Sequence, residues 1–308
     1  MKKFIGSVLA TTLILGGCST MENESKKDTN TETKSVPEEM EASKYVGQGF
    51  QPPAEKDAIE FAKKHKDKIA KRGEQFFMDN FGLKVKATNV VGSGKGVEVF
   101  VHCDDHDIVF NASIPFDKSI IDSDSSLRSE DKGDDMSTLV GTVLSGFEYR
   151  AQKEKYDNLY KFFKENEEKY QYTGFTKEAI NKTQNSGYEN EYFYISTIPY
   201  NLTEYRNYFE PLLNKSNSEF SKEMSNVKKQ LKDKSKVSVT TTLFSKNKNY
   251  TKKSNSENVI KMAEEIKKEK DLPTDIDFSI QFSDNKINTI KPNYSSKDNS
   301  EYGVFDNE

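Results

Sequence analysis

Between Val101 and Ile108 the chain reads His102-Cys103-Asp104-Asp105-His106-Asp107, its densest run of side chains able to ligate a metal. Imidazole nitrogens and carboxylate oxygens together suit zinc, copper or nickel. On a hairpin connection His102, Asp104 and His106 fall on one side, so these three are the candidate metal ligands, with no fourth ligand fixed by the spacing. The competing reading is a solvated turn rich in Asp. Cys103 stands apart from them. Strand alternation places Val97, Val99, Val101 and Cys103 on one face and His102 on the other, which makes Cys103 a small core residue and separates it from the base a nucleophilic Cys-His pair needs. The third histidine, His65, lies between Ala62 and Ile69 on an apolar helix stripe and reads as structural. Asp122, Asp124 and Ser126 imitate the start of a calcium loop, but Leu127 stands where that loop needs Gly and Gly133 where it needs Glu. Tyr188, Tyr192, Phe193, Tyr194, Tyr200, Tyr205, Tyr208 and Phe209 form an aromatic cluster ordinary for half-buried elements. The chain contains no phosphate loop, dinucleotide fingerprint, zincin helix or serine-hydrolase elbow. The expectation is a non-enzymatic chain with no cofactor, binding an unidentified ligand; the alternative is metal binding through the His102 to Asp107 cluster.

A second chemical signal stands at the N-terminus. Lys2 and Lys3 precede an apolar run from Phe4 to Leu15, the charged and apolar regions of a secretory signal. Twelve residues are too few to span a bilayer, which takes about 20. The following Leu15-Gly16-Gly17-Cys18 resembles a bacterial lipobox, with a large aliphatic residue three before the cysteine and small residues between. That resemblance implies a diacylglyceryl group on the Cys18 thiol and cleavage just before it. Removing residues 1–17 takes away Lys2 and Lys3 and moves the side-chain net charge from −4 to −6. An acidic chain has little attraction for nucleic acid or anionic lipid, so the expected membrane partner is engaged through lipidated Cys18, on the extracytoplasmic face. Cys103 is then the one thiol left, and no intramolecular disulfide forms.

The elements that position these residues follow from periodicity. Residues 18–52 are dominated by Ser, Thr, Glu, Lys and Asn and read as a disordered tether. Ala58, Ala62, Ile69 and Phe76 predict a helix from Glu55 to Asn80, weakened near Gly73 and closed by Gly82. Three β-rich runs, Leu83 to Val91, Val97 to Cys103 and Ile108 to Phe116, predict an antiparallel meander. After a loop from Asp117 to Asp135, an apolar stripe from Val140 to Phe163 predicts one long central helix over Ser137 to Glu168. Helices near Lys177 to Thr183, Leu202 to Phe209, Glu219 to Lys232 and Ser256 to Glu269 alternate with strands near Glu191 to Ile198, Lys236 to Phe244 and Asp275 to Phe282. Lys215-Ser216-Asn217-Ser218-Glu219 recurs as Lys253-Ser254-Asn255-Ser256-Glu257, each with the Ser-x-x-Glu of a capping box, and suggests a helix-strand unit repeated once. The fold class is α+β: an N-terminal helix with a three-stranded meander (53–134), then the long helix and αβ units (135–284), then a polar tail (285–308).

Hydrophobic residues make up 33% of the 308-residue chain, below the roughly 45–50% of ordinary globular domains, which fits a chain with long polar ends. Twenty Phe and 15 Tyr still suffice for a core. Beyond the lipobox, Tyr45-Val46-Gly47-Gln48-Gly49-Phe50-Gln51-Pro52-Pro53, the following helix and the Val97 to Phe116 hairpin resemble the staphylococcal lipoproteins known as domain of unknown function 1672. The resemblance covers nearly the whole chain. It implies a membrane-anchored surface lipoprotein and carries over no catalytic or binding residues.

Overall fold

The computed structural model describes residues 36–130, 134–232, 237–248, 252–292 and 300–305. Residues 1–17, expected to be a signal segment, Cys18 and residues 19–35 lie outside them.

Alternation builds the first sheet. Strands β2 (Val85–Ser93), β3 (Gly96–Cys103) and β4 (Phe110–Phe116) form the expected antiparallel meander, in the order β2-β3-β4. Val97, Val99, Val101 and Cys103 are all fully buried. That inner face packs against helices α1 (Lys56–Lys64) and α2 (Lys66–Phe81), helix α3 (Asp134–Ala151), the turns after Leu202 and helix α7 (Asn217–Gln230). The single helix expected over Glu55 to Asn80 is therefore two, broken at His65, whose φ of −113° and ψ of 20° leave the helical region. His65 is half-buried there, its ring 4.5 Å from that of Phe61. Gly82, at a φ of 64°, closes α2 in the left-handed conformation that favours glycine.

The long central helix is also two. α3 stops at Ala151, Gln152 adopts φ −125° and ψ 33°, and α4 runs Lys153–Tyr170. The two halves serve different cores. Val140, Val143, Leu144 and Phe147 join the meander core, whereas Tyr156, Leu159 and Phe163 join a second core around another sheet. A straight helix could not present one stripe to both. Gln152 holds the break by donating to Glu148 Oε1 at 2.8 Å and to the Thr274 carbonyl at 3.0 Å.

The second sheet centres on β9 (Ile276–Ser283). β7 (Val237–Thr241) and β8 (Leu243–Ser245) run parallel to it along one edge, and β11 (Ser300–Phe305) runs antiparallel along the other. β6 (Phe193–Ser196) pairs with β7, and β5 (Tyr172–Thr173) with β8. Where β7 gives way to β8, the Thr241 hydroxyl fills the ladder, donating to Gln281 O and accepting from Gln281 N, both at 2.8 Å. Helix α8 (Lys252–Ile266) packs against this sheet, while α7 packs in the meander core. The repeated helix-strand unit thus survives as chain order and parallel strands, not as equivalent packing. Glu219 accepts from the Ser216 amide at 3.3 Å and from its hydroxyl at 2.8 Å; the Ser254 side chain lies outside the description.

Both polar ends contribute more than expected. Residues 36–52, read as tether, supply β1 (Glu39–Glu41), and residues 285–308, read as tail, supply β10 (Lys286–Asn288) and β11. β1 pairs antiparallel with β10. Tyr45 and Ala42 are buried in a third core with Phe175, Ala179, Ile180, Phe244 and Ile287. Helix α5 (Lys177–Thr183) carries the middle residues of that core and has the expected bounds. Composition misled here because a few apolar residues, Tyr45 above all, hold a segment that is otherwise polar. Residues 36–308 cluster as one unit.

Candidate functional site

The turn after β3 is built by residue types that tolerate left-handed backbone. His106 and Asp107 have φ of 54° and 59°, a region in which Asn, Asp and His are enriched several-fold. Asp105 accepts the Lys84 amide at 2.9 Å and so ties the turn to the start of the meander. His102 lies opposite Asn111 across the β3–β4 ladder, its Nδ1 3.0 Å from Asn111 Oδ1. Asp104 and His106 are exposed. His102, Asp104 and His106 are therefore not brought together, and among the described residues no group of three His, Cys, Asp or Glu side chains could hold a metal ion. The left-handed backbone accounts for His106 and Asp107, and the Lys84 amide for Asp105. Cys103 is buried, its Sγ 3.5 Å from the Lys84 carbonyl, and burial pushes its thiol up to about 12, which holds it as the unreactive thiol at neutral pH.

The acidic loop after Asp117 is laid against α2. Arg72 donates to the Ile120 and Ser125 carbonyls at 3.1 and 2.9 Å, and Asp79 accepts from Leu127 N at 2.6 Å and Ser126 Oγ at 3.0 Å. Ser126 is thus engaged by a carboxylate of α2, while Asp122 and Asp124 face solvent.

The tyrosine cluster is core. Tyr188, Tyr192 and Tyr205 are buried, and their hydroxyls are satisfied: Tyr205 donates to Phe81 O at 2.8 Å, Tyr192 to Glu167 at 2.7 Å, and Tyr188 accepts from Asn190 at 3.3 Å. Each ring fills apolar space while its oxygen reaches a polar group.

The most unusual polar arrangement is a seam between the two large cores. Asn111, nearly fully buried, exchanges both backbone hydrogen bonds with Gly187, at 2.7 and 3.0 Å. Gly187 has a φ of +110°, and a Cβ there would lie 2.2 Å from Ser145 Oγ. Ser145 accepts the Tyr188 amide and donates to Thr142 O, each at 2.6 Å. Tyr188 stacks on Tyr149 at 4.0 Å. Next in the chain, Glu189 is buried with Oε2 lacking a hydrogen-bond partner, and burial pushes its carboxyl up to about 8. At neutral pH it is mostly a neutral acid. A second buried carboxylate nearby in the chain fold, Glu148, is by contrast paired, 3.1 Å from Lys228 Nζ. Sequence reasoning missed Asn111, Ser145 and Glu189; only Asn185-Ser186-Gly187, a turn signature, hinted at the close approach.

Between the end of α4 and α8 lies a groove of about 320 Å³ lined by Tyr170, Lys261, Glu264 and Lys268, and by Lys169 and Glu265, paired at 2.6 Å. Small-molecule sites are mostly apolar with a few converging polar groups; charges already paired across the opening do not fit that description. No helix among the described residues is long and apolar enough to cross a membrane.

The chain was compared with known proteins. No functionally curated protein matches it. The crystal structure of a DUF1672 family protein from Staphylococcus aureus subsp. aureus Mu50 is 70% identical, with a TM-score of 0.87, over 89% of this chain and all of the other. The family model for proteins of unknown function DUF1672 matches residues 32–308. The chain belongs to the DUF1672 family.

Proposed function

We propose that the protein is a surface lipoprotein, held on the extracytoplasmic face of the cell membrane through lipidated Cys18, whose α+β body is a non-enzymatic module binding an extracellular or cell-wall partner. The observation that carries this reading is the order at the N-terminus: Lys2 and Lys3, twelve largely apolar residues, then Leu15-Gly16-Gly17-Cys18. Two acyl chains on a diacylglyceryl group supply the paired anchoring signals that stable membrane attachment takes. The non-enzymatic part is supported by how the body uses its reactive side chains. His102 faces Asn111, Cys103 is buried as a thiol and Asp105 caps the Lys84 amide. Replacing Cys18 with Ala tests the anchor. Labelled fatty acid is expected in the wild-type chain and absent from Cys18→Ala, which accumulates as uncleaved precursor; a variant cut to the same length and still labelled refutes the reading.

A further inference from the structure

The chain as a whole is acidic, but its charge is unevenly placed. Lys63, Lys64, Lys66, Lys68 and Lys71 stand within nine residues around the α1–α2 break, with Asp67 the one carboxylate among them, a local charge of +4. With the chain at −4, all remaining residues together carry −8. The five lysines are exposed, and among the described residues no ion pair engages any of them. Elsewhere some lysines are neutralised, Lys153 by Asp157 at 2.6 Å, Lys169 by Glu265 at 2.6 Å, Lys246 by Glu168 at 2.7 Å and Lys286 by Glu39 at 3.2 Å, while others, such as Lys229 and Lys232, are exposed with no ion pair among the described residues. The same helix pair turns its other side to the meander core through Ala62, Ile69, Phe76 and Phe77, so the lysines cannot fold back onto it. Further along α2, Met78 is 40% exposed, seven residues and about two turns beyond Lys71.

We propose that this face of α1 and α2 docks on the surface of an anionic lipid bilayer, with the rest of the body turned away. The inference rests on the lipid-anchor reading for its source of membrane. Seventeen residues separate Cys18 from Val36, so the body starts within roughly 60 Å of its attachment point at full extension. The nine residues from Lys63 to Lys71, all helical but His65, extend at most about 13 Å, close to the screening length of about 10 Å at 0.1 M salt. At that range the patch meets the lipid charge while the acidic remainder is largely screened from it. Net charge then orients the body instead of repelling it. A membrane-anchored partner has no need of high affinity, because tethering already supplies the local concentration.

The test uses the chain from Cys18 to Glu308 held by an N-terminal hexahistidine tag on vesicles doped with a nickel-chelating lipid, so that attachment does not depend on lipidation. Lysines are labelled with an amine-reactive reagent and quantified by mass spectrometry. In phosphatidylglycerol vesicles at low salt, the five lysines are expected to label at least threefold more slowly than in phosphatidylcholine vesicles, with Lys161 and Lys267 unchanged and the difference gone at 0.5 M salt. Equal labelling in the two lipids overturns the proposal. So does equal protection by soluble polyphosphate beside phosphatidylcholine vesicles, which would assign the face to a free polyanion. Failure of Cys18 to take lipid would refute the anchor alone and leave this result readable.

Discussion

Glu189 is a carboxyl whose surroundings decide its proton. Burial raises it to about 8 from an ordinary value of 4.5, so the folded state holds a proton that the unfolded chain gives up. A raised acid favours folding fully below its unfolded value, and that advantage is lost as pH rises through the folded value. Stability is therefore expected to decline between pH 4.5 and pH 8, by up to about 5 kcal/mol from this group. Glu189→Gln keeps the shape without the ionisation, so it should flatten the decline and raise the melting temperature at pH 8. Thermal denaturation of both chains across that range checks it; parallel profiles would mean that Glu189 stays charged and solvated. Nothing in Tyr188-Glu189-Asn190-Glu191 announces this. Glu189 falls between the aromatic Tyr188 and the strand expected near Glu191 with no pattern of its own, and the close approach of Gly187 to Ser145 accompanies its burial. The candidate site failed in the other direction. His102 to Asp107 looked like ligands because the sequence shows residue types and hides backbone angles and partners: left-handed φ values suit His106 and Asp107, and His102 meets Asn111.

Elements were legible where one periodicity served one core. The meander and α5 follow their patterns because strand alternation and helical spacing set the residues that face one core, even though Phe100 and Asn111 are buried on the other side of the sheet. The breaks at His65 and Gln152 were not, since the apolar stripe continues through both; at Gln152 the core it meets changes, whereas Ala62 and Ile69 on either side of His65 meet the same one. β1, β10 and β11 escaped because short strands held by pairing carry almost no pattern of their own. Gly73 shows the same limit at one position. In the sequence it is a weak point of a helix, where Ala would add about 1 kcal/mol of helix propensity. In the structure a Cβ at Gly73 would lie 2.6 Å from Cγ1 of Val99, a fully buried residue of β3. Overpacking of this kind costs about 1–3 kcal/mol, so packing should win. Gly73→Ala is expected to lower the urea midpoint, and an unchanged or higher midpoint would show that Val99 moves aside freely.

For the whole molecule, the segment that leads in from the N-terminus is fastened at several points before it reaches α1. Thr289 donates its amide to Glu38 O at 2.8 Å and its hydroxyl to Pro37 O at 2.8 Å; β1 pairs with β10; and the Tyr45 hydroxyl reaches Thr289 O at 3.1 Å from within the third core. Removing the ring of a buried aromatic residue costs about 3–5 kcal/mol, here confined to one small core. Tyr45→Ala should therefore open residues 36–50 to proteolysis while the meander stays protected, as read by limited digestion and mass spectrometry. Simultaneous loss of the meander would mean that the segment is part of the global folding unit. The arrangement also has a mechanical side. A tug on the N-terminus loads the Thr289 bonds first, then the three-residue ladder, then Tyr45, while both large cores lie behind them. Letting go of residues 36–45 would add at most roughly 35 Å of slack at full extension, so tension from that end is taken up by this segment before either large core is loaded.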